Sequence, residues 1–206
     1  MVLVGIYGKA GSGKDYLAEK YIIPFFRELN QTCLKWSFAD QLKVNVMTKY
    51  DIPFSDLYTQ KTEGTRRLLQ IEGTEKGRHI HGEDIWIKYF NNWVKVLTGK
   101  GIDNIIVSDV RFRNELHYIT SNNGIIIKVV APMRHKLRIM QECNGEVNSH
   151  DILSTHVSEC DMDNVPDSDF DIVIKNDIND PIISHFNFSQ HLAKLVLQRT
   201  QGAPGL

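Results

Sequence analysis

Apolar residues in this chain fall into two patterns: short unbroken runs, and stripes that repeat every three or four positions. The opening run MVLVGIYG is short, contains β-branched residues and closes on a glycine, which predicts a buried parallel strand. After Lys14 the pattern changes, because Leu17, Ala18, Tyr21, Ile22 and Phe25 recur at helical spacing and give one apolar stripe. Pro24 sits inside that stripe. It lacks an amide proton and crowds the preceding turn, so it is expected to kink or divide the helix. TCLKWSFA predicts a second strand. Residues 40 to about 100 read as mostly helical, from DQLKVNVMTKY through TRRLLQIEG to EDIWIKYFNNWVKVLTG, with Gly73 and Gly99 placed to end helices. DNIIVSD and GIIIKVVA are two further buried strands around a short helix containing RFRNELHYI. A polar segment from Pro132 to about Asp169 leads to a last strand, FDIVIKN, and a closing helix, SQHLAKLVLQR. Strands alternating with helices imply an α/β fold, a parallel sheet of about five strands with helices on both faces.

Length adds one constraint. A chain of 206 residues holds one sizeable core, or one core carrying a mobile subdomain, so a single domain over 1 to 199 is expected, with TQGAPGL at 200 to 206 as a disordered tail. The balance of 24 basic against 25 acidic residues, net charge -1, argues against nonspecific binding of nucleic acid or of an anionic membrane. Three cysteines without C-x-x-C spacing suggest neither a disulfide framework nor a zinc site, and fit a reducing, cytoplasmic setting. No apolar stretch reaches the length of a membrane span, and the N-terminus has no basic segment ahead of its apolar run.

The densest chemistry lies in GKAGSGKDY, residues Gly8, Lys9, Ala10, Gly11, Ser12, Gly13, Lys14, Asp15 and Tyr16. Its spacing is that of the phosphate-cradling loop G-x-x-x-x-G-K-[ST], between a strand and a helix. Such a turn lets consecutive backbone N–H groups converge on phosphate, and Lys14 adds a point charge at the transferred group. Asp15 stands where a serine or threonine hydroxyl normally meets Mg2+. A carboxylate can serve that metal directly or through water, or simply stabilise a helix N-terminus. Asp109, at the C-terminal end of NIIVSD, borders the ligand crevice of an open α/β sheet and is the second candidate for the metal, with a helix cap as its alternative.

Arginines are distributed as phosphate transfer requires, since their planar forks bind phosphate oxygens in pairs. Arg66 and Gln70 share one helix face and Arg78 follows the expected break at Gly73, so Arg66 and Arg78 could clamp an acceptor phosphate; Lys61, Arg67 and Lys76 suit a solvated face. Arg111 and Arg113 follow Asp109, with Glu115 a partner for Arg113. Arg134 and Arg138 are four apart on a helix that could close as a flap over the transferring phosphoryl, or form an ordinary solvated face. Trp86, Tyr89, Phe90 and Trp93 recur at helical spacing and read as core, with Trp86 the one exception to weigh. The eight histidines form no ligand pattern, and IKND has the wrong order for a guanine-reading N-K-x-D.

Taken in order, GKAGSGKDY, FADQLK, RLLQIEGTEKGR with GEDIW, SDVRFRNE and HVSECDMD resemble the deoxynucleoside monophosphate kinases of bacteriophages and large DNA viruses, over roughly residues 2 to 176. LQIEGTEKGR and SDVRFRNE carry most of the likeness, and Tyr16 departs from it, replacing the threonine of the family's G-K-D-T. The resemblance implies a P-loop kinase fold, with an acceptor-binding helical insert at about 40 to 100 and a lid at about 132 to 160. It also implies ATP with Mg2+, and phosphoryl transfer to a deoxynucleoside monophosphate, both substrates being small molecules; a homodimer is left open. Carried over by residue, the loop from Gly8 to Tyr16 binds ATP, and Lys14, Arg111, Arg134 and Arg138 act on the transferring group. Asp15 and Asp109 lie near the metal. Phe38, Asp40, Lys43, Arg66, Gln70, Arg78, Trp86, Arg111 and Asn114 serve the acceptor. HVSEC has no derivable role. Animal phosphomevalonate kinases share the G-K-D-aromatic sequence and a late S-E-C, although LQIEGTEKGR suits the viral kinases better. A nucleotide-binding module without catalysis is the third reading, opposed by arginines on several separate segments.

Overall fold

The computed structural model of the protein describes residues 1–142, 160–177 and 185–201. The strands in chain order are β1 (Val2–Tyr7), β2 (Cys33–Lys35), β3 (Asn104–Val110), β4 (Ile125–Val130) and β5 (Ile172–Lys175). The helices are α1 (Lys14–Leu17), α2 (Ile23–Glu28), α3 (Asp40–Tyr50), α4 (Phe54–Tyr58), α5 (Glu63–Gln70), α6 (His79–His81), α7 (Ile85–Gly99), α8 (Arg113–Ser121), α9 (Pro132–Glu142) and α10 (His185–Gln201). The chain divides into two compact units, Met1–Lys35 with Gly101–Leu206, and Trp36–Lys100.

The first unit is the α/β sheet expected from the alternation of runs and stripes. Its strands are all parallel, in the order β2-β3-β1-β4-β5. Every residue of β1 is buried, which is why the strand reads as a continuous apolar run rather than an alternating one. Val4, Ile6, Ile106, Ile125 and Ile127 meet Leu17, Ile22 and Phe26 on one side, together with Phe188 and Leu192 of α10. The connection after β1 leads toward β2 at one edge and that after β4 toward β5 at the other. A crevice therefore opens beyond the C-terminal end of β1. Buried Asn104 ties the opposite end: its Oδ1 accepts from Val2 N–H at 3.2 Å and its amide donates to the Thr32 carbonyl and to Gln31.

Pro24 divides its helix as expected. Ahead of it, Ala18–Ile22 form a π-helical turn between α1 and α2, the wider winding leaving carbonyls that proline cannot bond. α10 runs to Gln201, and Thr200 Oγ1 bonds back to the Val196 carbonyl at 2.9 Å; the remainder of the tail expected at 200 to 206 lies outside the described residues.

The second unit is helical. Leu42, Val46, Leu57 and Trp86 form its core, with Leu68, Leu69 and Ile85 packed against them. Gly73 does not end a helix. It stays right-handed inside a π-helical segment, Ile71–Arg78, that continues α5, with Leu42 Cδ2 lying only 2.8 Å from where a Cβ would be. Packing against α3 thus overrides the tendency of glycine to leave the helix. Gly99 does close α7. Glu72 in the π segment gathers Lys76, Tyr50 and Lys49 at 2.7, 2.6 and 2.9 Å. Burial pushes its carboxyl up, but those three hydrogen bonds outweigh it and hold the pKa down at about 2.

A folded-state pKa below the unfolded value contributes stability that is present above the ordinary carboxyl range and lost as pH falls toward the depressed value. Glu72→Gln is expected to lower Tm at neutral pH, and the gap between variant and parent is expected to shrink between pH 4.5 and about 2. Thermal melts across that range check this; a gap that persists at the acid end would show that Glu72 acts by packing instead.

Candidate active site

The loop after β1 turns through two left-handed glycines, Gly11 (φ 82°) and Gly13 (φ 89°), a backbone that a side chain would strain. Its carbonyls are taken up within the fold. Lys9 O accepts from Ser12 N–H at 3.1 Å and Gly13 O from Leu17 N–H at 2.9 Å. Ala10 O accepts from His135 Nδ1–H at 2.9 Å, and Ser12 O from the Asn176 amide at 2.7 Å. Lys14 is the first residue of α1. Lys9 is ion-paired with Asp163, which also accepts from the Tyr7 hydroxyl. Tyr16 is exposed, its ring set edge-on to Tyr21.

Asp15 is oriented from the sheet. Ser108 Oγ donates to Asp15 Oδ1 at 2.7 Å, and Lys35 Nζ approaches the same oxygen at 3.4 Å, leaving Oδ2 without a hydrogen-bond partner among the described residues. Burial works against the Asp15 charge, but the Ser108 hydroxyl, Lys14 and Lys35 outweigh it, and the carboxyl lies below its ordinary range. The β1–β3 register slips here: Gly5 faces Val107 whereas Tyr7 faces Val110, so one extra residue of β3 is accommodated around Ser108 and Asp109. Asp109 is half-buried at that bulge. Mg2+ takes one or two carboxylates from protein when phosphate and water complete its shell, and the hard oxygens of Asp15 and Asp109 are donors of that kind.

α9 packs on the loop. Arg138 Cδ lies 3.1 Å, and the Arg134 carbonyl 3.6 Å, from where a Cβ on Gly11 would sit. Among the described residues five buried side-chain polar atoms lack a hydrogen-bond partner; three of them, Ser12 Oγ, Asn176 Oδ1 and Arg134 Nε, belong to this loop and its covering elements. Buried polar groups without a partner are uncommon, and here they cluster around the phosphate-type loop. Of the lid expected at 132 to 160, residues 143–159, including His156, Val157, Ser158 and Glu159, lie outside the described residues.

In SDVRFRNE, Glu115 caps α8 by accepting from the N–H groups of Arg111 (2.8 Å) and Phe112 (3.2 Å). It is thereby not the partner of Arg113, whose Nε donates to the Asp161 carbonyl and whose N–H donates to the Asp161 carboxylate. Arg111 and Asn114 are half-buried at the start of α8.

The other residues expected to serve an acceptor belong to the second unit. Asp40 and Lys43 form a buried pair at 2.8 Å, Asp40 also accepting from Ser37 N–H at 2.7 Å while Lys43 Nζ lies 4.2 Å from the Tyr58 ring centroid. Arg66 and Gln70 are half-buried on α5, the helix whose Leu68 and Leu69 pack against the core of this unit. Arg78 is only 3% exposed; its Nη1 donates to the Glu83 carbonyl at 2.6 Å. The Phe38 ring packs at a tilt against Phe90 in the interior, their centroids 4.5 Å apart. Trp86 is also interior, its ring over Gly77 and its indole N–H bonded to the Gly73 carbonyl at 2.8 Å, so it braces the π segment that ends at Arg78.

Ser108, His135, Asp163 and Asn176 were not singled out by the sequence. Ser108 had a local signal, lying beside Asp109; the others act across 125 residues or more.

No family model matches the chain. It is 30% identical over 152 residues, 64% of this chain and 75% of the relative, to a protein of Acanthamoeba polyphaga mimivirus described as a deoxynucleotide monophosphate kinase. It is 26% identical to the deoxynucleoside-5'-monophosphate kinase of Escherichia phage T5, over 70% of this chain and 84% of that one. Solved structures similar to it include Mycobacterium tuberculosis APS kinase CysC in complex with AMPPNP and APS (12% identity, TM-score 0.41, 95% of this chain and 97% of that one). Another is shikimate kinase from Acinetobacter baumannii (10% identity, TM-score 0.43, 96% and 94%). A loop built to hold phosphate on a parallel sheet and a likeness extending over three quarters of the mimivirus protein lead to one assignment: the chain belongs to the deoxynucleoside monophosphate kinase family.

Proposed function

We propose that this protein transfers the γ-phosphoryl group of ATP to a deoxynucleoside monophosphate, supplying the diphosphate for DNA precursor synthesis. The observation that carries the proposal is the loop Gly8–Gly13 with Lys14 at its end and the arginine-bearing helix α9 packed against it. A loop with its carbonyls bonded inward leaves N–H groups for a polyphosphate, and Lys14 neutralises the oxygens of the transferring group. Asp15, held by Ser108, and Asp109 would hold Mg2+, which when bound supplies charge neutralisation across the donor phosphates.

The reaction breaks the bond from the γ-phosphorus to the bridging oxygen of ADP and forms one to an acceptor phosphate oxygen. That oxygen is already anionic, so no general base is needed, and positioning with charge stabilisation supplies the rate. Arg134 and Arg138 on α9 stabilise the migrating charge and help exclude water, and Arg111 and Asn114 address the acceptor from the start of α8. Residues 40 to 100 serve as the acceptor-binding insert of one kinase domain. In it Arg66, Gln70 and Arg78 meet phosphate, sugar and base, while the buried Asp40–Lys43 pair orients FADQLK rather than abstracting a proton. Phe38 and Trp86 act as the packed support beneath those groups.

Offering purified protein, ATP and Mg2+ with each deoxynucleoside monophosphate, its ribose counterpart and mevalonate phosphate, and recording ADP release, tests the reading; turnover confined to mevalonate phosphate would reverse it. Lys14→Ala is expected to lower kcat by at least about a hundredfold with the melt unchanged. Arg66→Ala should raise the acceptor KM about tenfold to a hundredfold and leave that for ATP in place. Ser108→Ala frees the Asp15 carboxylate, so the Mg2+ concentration for half-maximal rate should rise about tenfold or more, matched by weaker Mn2+ binding seen by electron paramagnetic resonance with ATP present.

A further inference from the structure

Two neighbouring residues after β5 hold two different parts of the donor site. Asn176 is 3% exposed. Its backbone N–H donates to the Val130 carbonyl at 2.8 Å, fixing it to the end of β4, and its side-chain amide donates to the Ser12 carbonyl at 2.7 Å. The amide nitrogen lies 2.3 Å from where a Cβ on Gly13 would sit, so the second left-handed glycine of the loop is the one against which Asn176 rests. Asp177 turns the other way in its bonding. Its Oδ2 accepts from Met133 N–H at 3.0 Å and its Oδ1 from Arg134 N–H at 3.2 Å, so its carboxylate takes up two of the N–H groups that the first turn of α9 leaves without helical partners.

The two contacts have different consequences. Ser12 O is drawn inward by Asn176, and a peptide whose carbonyl points inward presents the following N–H, that of Gly13, in the opposite direction. Loss of the amide would let this peptide rotate, which acts on affinity for a polyphosphate. Asp177 acts instead on the first turn of the helix that carries Arg134 and Arg138 against Gly11. Loss of its carboxylate frays that turn, which acts on the guanidiniums and on water exclusion.

We propose that Asn176 and Asp177 are paired positioning residues, the first setting the phosphate loop for the donor and the second setting α9 for the transfer step. Because they are consecutive and anchored on β4, a shift of the loop on donor binding is passed to the N-terminus of α9 through one peptide. The proposal rests on the kinase reading, but its binding and exchange measurements need only a non-hydrolysable ATP analogue. Failure to phosphorylate any acceptor would sink the kinase reading alone.

The test compares Asn176→Ala, Asp177→Ala and the conservative Asp177→Asn in the full chain. Asn176→Ala should weaken the analogue about tenfold by calorimetry and raise the ATP KM to match, with kcat at saturation within about twofold of the parent. Asp177→Ala should keep analogue affinity within about twofold but lower kcat about tenfold and raise ATP hydrolysis relative to transfer, with Asp177→Asn in between because its one carbonyl oxygen still caps. Amide exchange monitored by mass spectrometry should show the analogue protecting residues 132–138 in the parent and not in Asp177→Ala. The proposal is overturned if Asn176→Ala leaves analogue affinity unchanged, or if Asp177→Ala lowers affinity and kcat together. It is also overturned if the variants lose only thermal stability. Should an alanine variant not fold, Asn176→Ser and Asp177→Asn carry the same comparison, with affinity expected to fall in the first and kcat in the second.

Discussion

A loop that offers its N–H groups to an anion must place its carbonyl groups elsewhere, and that constraint organises the sheet unit. Each buried carbonyl needs a donor, since leaving one unpaired costs about 1 to 3 kcal/mol. Local bonds satisfy Lys9 and Gly13. Ala10 and Ser12 are satisfied by His135 and Asn176, contributed by chain segments far along the sequence. Apolar burial sets the arrangement of β4 and β5 beside β1, and within it α9 and the segment after β5 supply these two donors. The same segments that complete the loop also bring Arg134 and Arg138 beside it.

Much of the architecture was legible because central parallel strands, covered on both faces, read as apolar runs rich in β-branched residues, as β1, β3 and β4 do, whereas the short β2 and the alternating β5 lie at the edges. Pro24 was legible for a similarly local reason: a missing N–H has one set of remedies, and the π turn before it is among them. Gly73 was misread because the force that decides it is not local. A glycine after a helical stripe looks like a terminus, yet Leu42 from α3 packs where its side chain would be and keeps the helix running to Arg78. That continuity changes the spacing: with the wider π winding, Arg78 is carried on the same helical body as Arg66 and Gln70 instead of after a turn.

The candidate site divides in the same way. Lys14, Asp15 and the glycines belong to one short motif, whose chemistry depends on adjacency, so the sequence displays it directly. Asn176 gives no such sign. It lies 164 residues from Ser12, and its role exists only once β5 is in register beside β4. Ser108 is intermediate. It precedes Asp109, but its hydroxyl bonds Asp15 across 93 residues, a contact that exists only once β3 lies beside β1.

Aspartate at position 15, in place of a hydroxyl residue, adds a negative charge beside a site meant for anions, and this needs compensation. Lys35, on β2, provides it at 3.4 Å while also pairing with Glu19. Burial draws the Lys35 ammonium toward neutrality, yet Glu19 and Asp15 outweigh that and keep it charged. Asp15 is stabilised in turn, so the two charges hold each other in place. Ser108 and Lys35 both engage Oδ1, so Oδ2 makes no hydrogen bond among the described residues. A neutral hydroxyl at this position would need neither partner. With a carboxylate, the edge strand β2 and the bulge of β3 become the supports of Asp15, and the three side chains make sense only together.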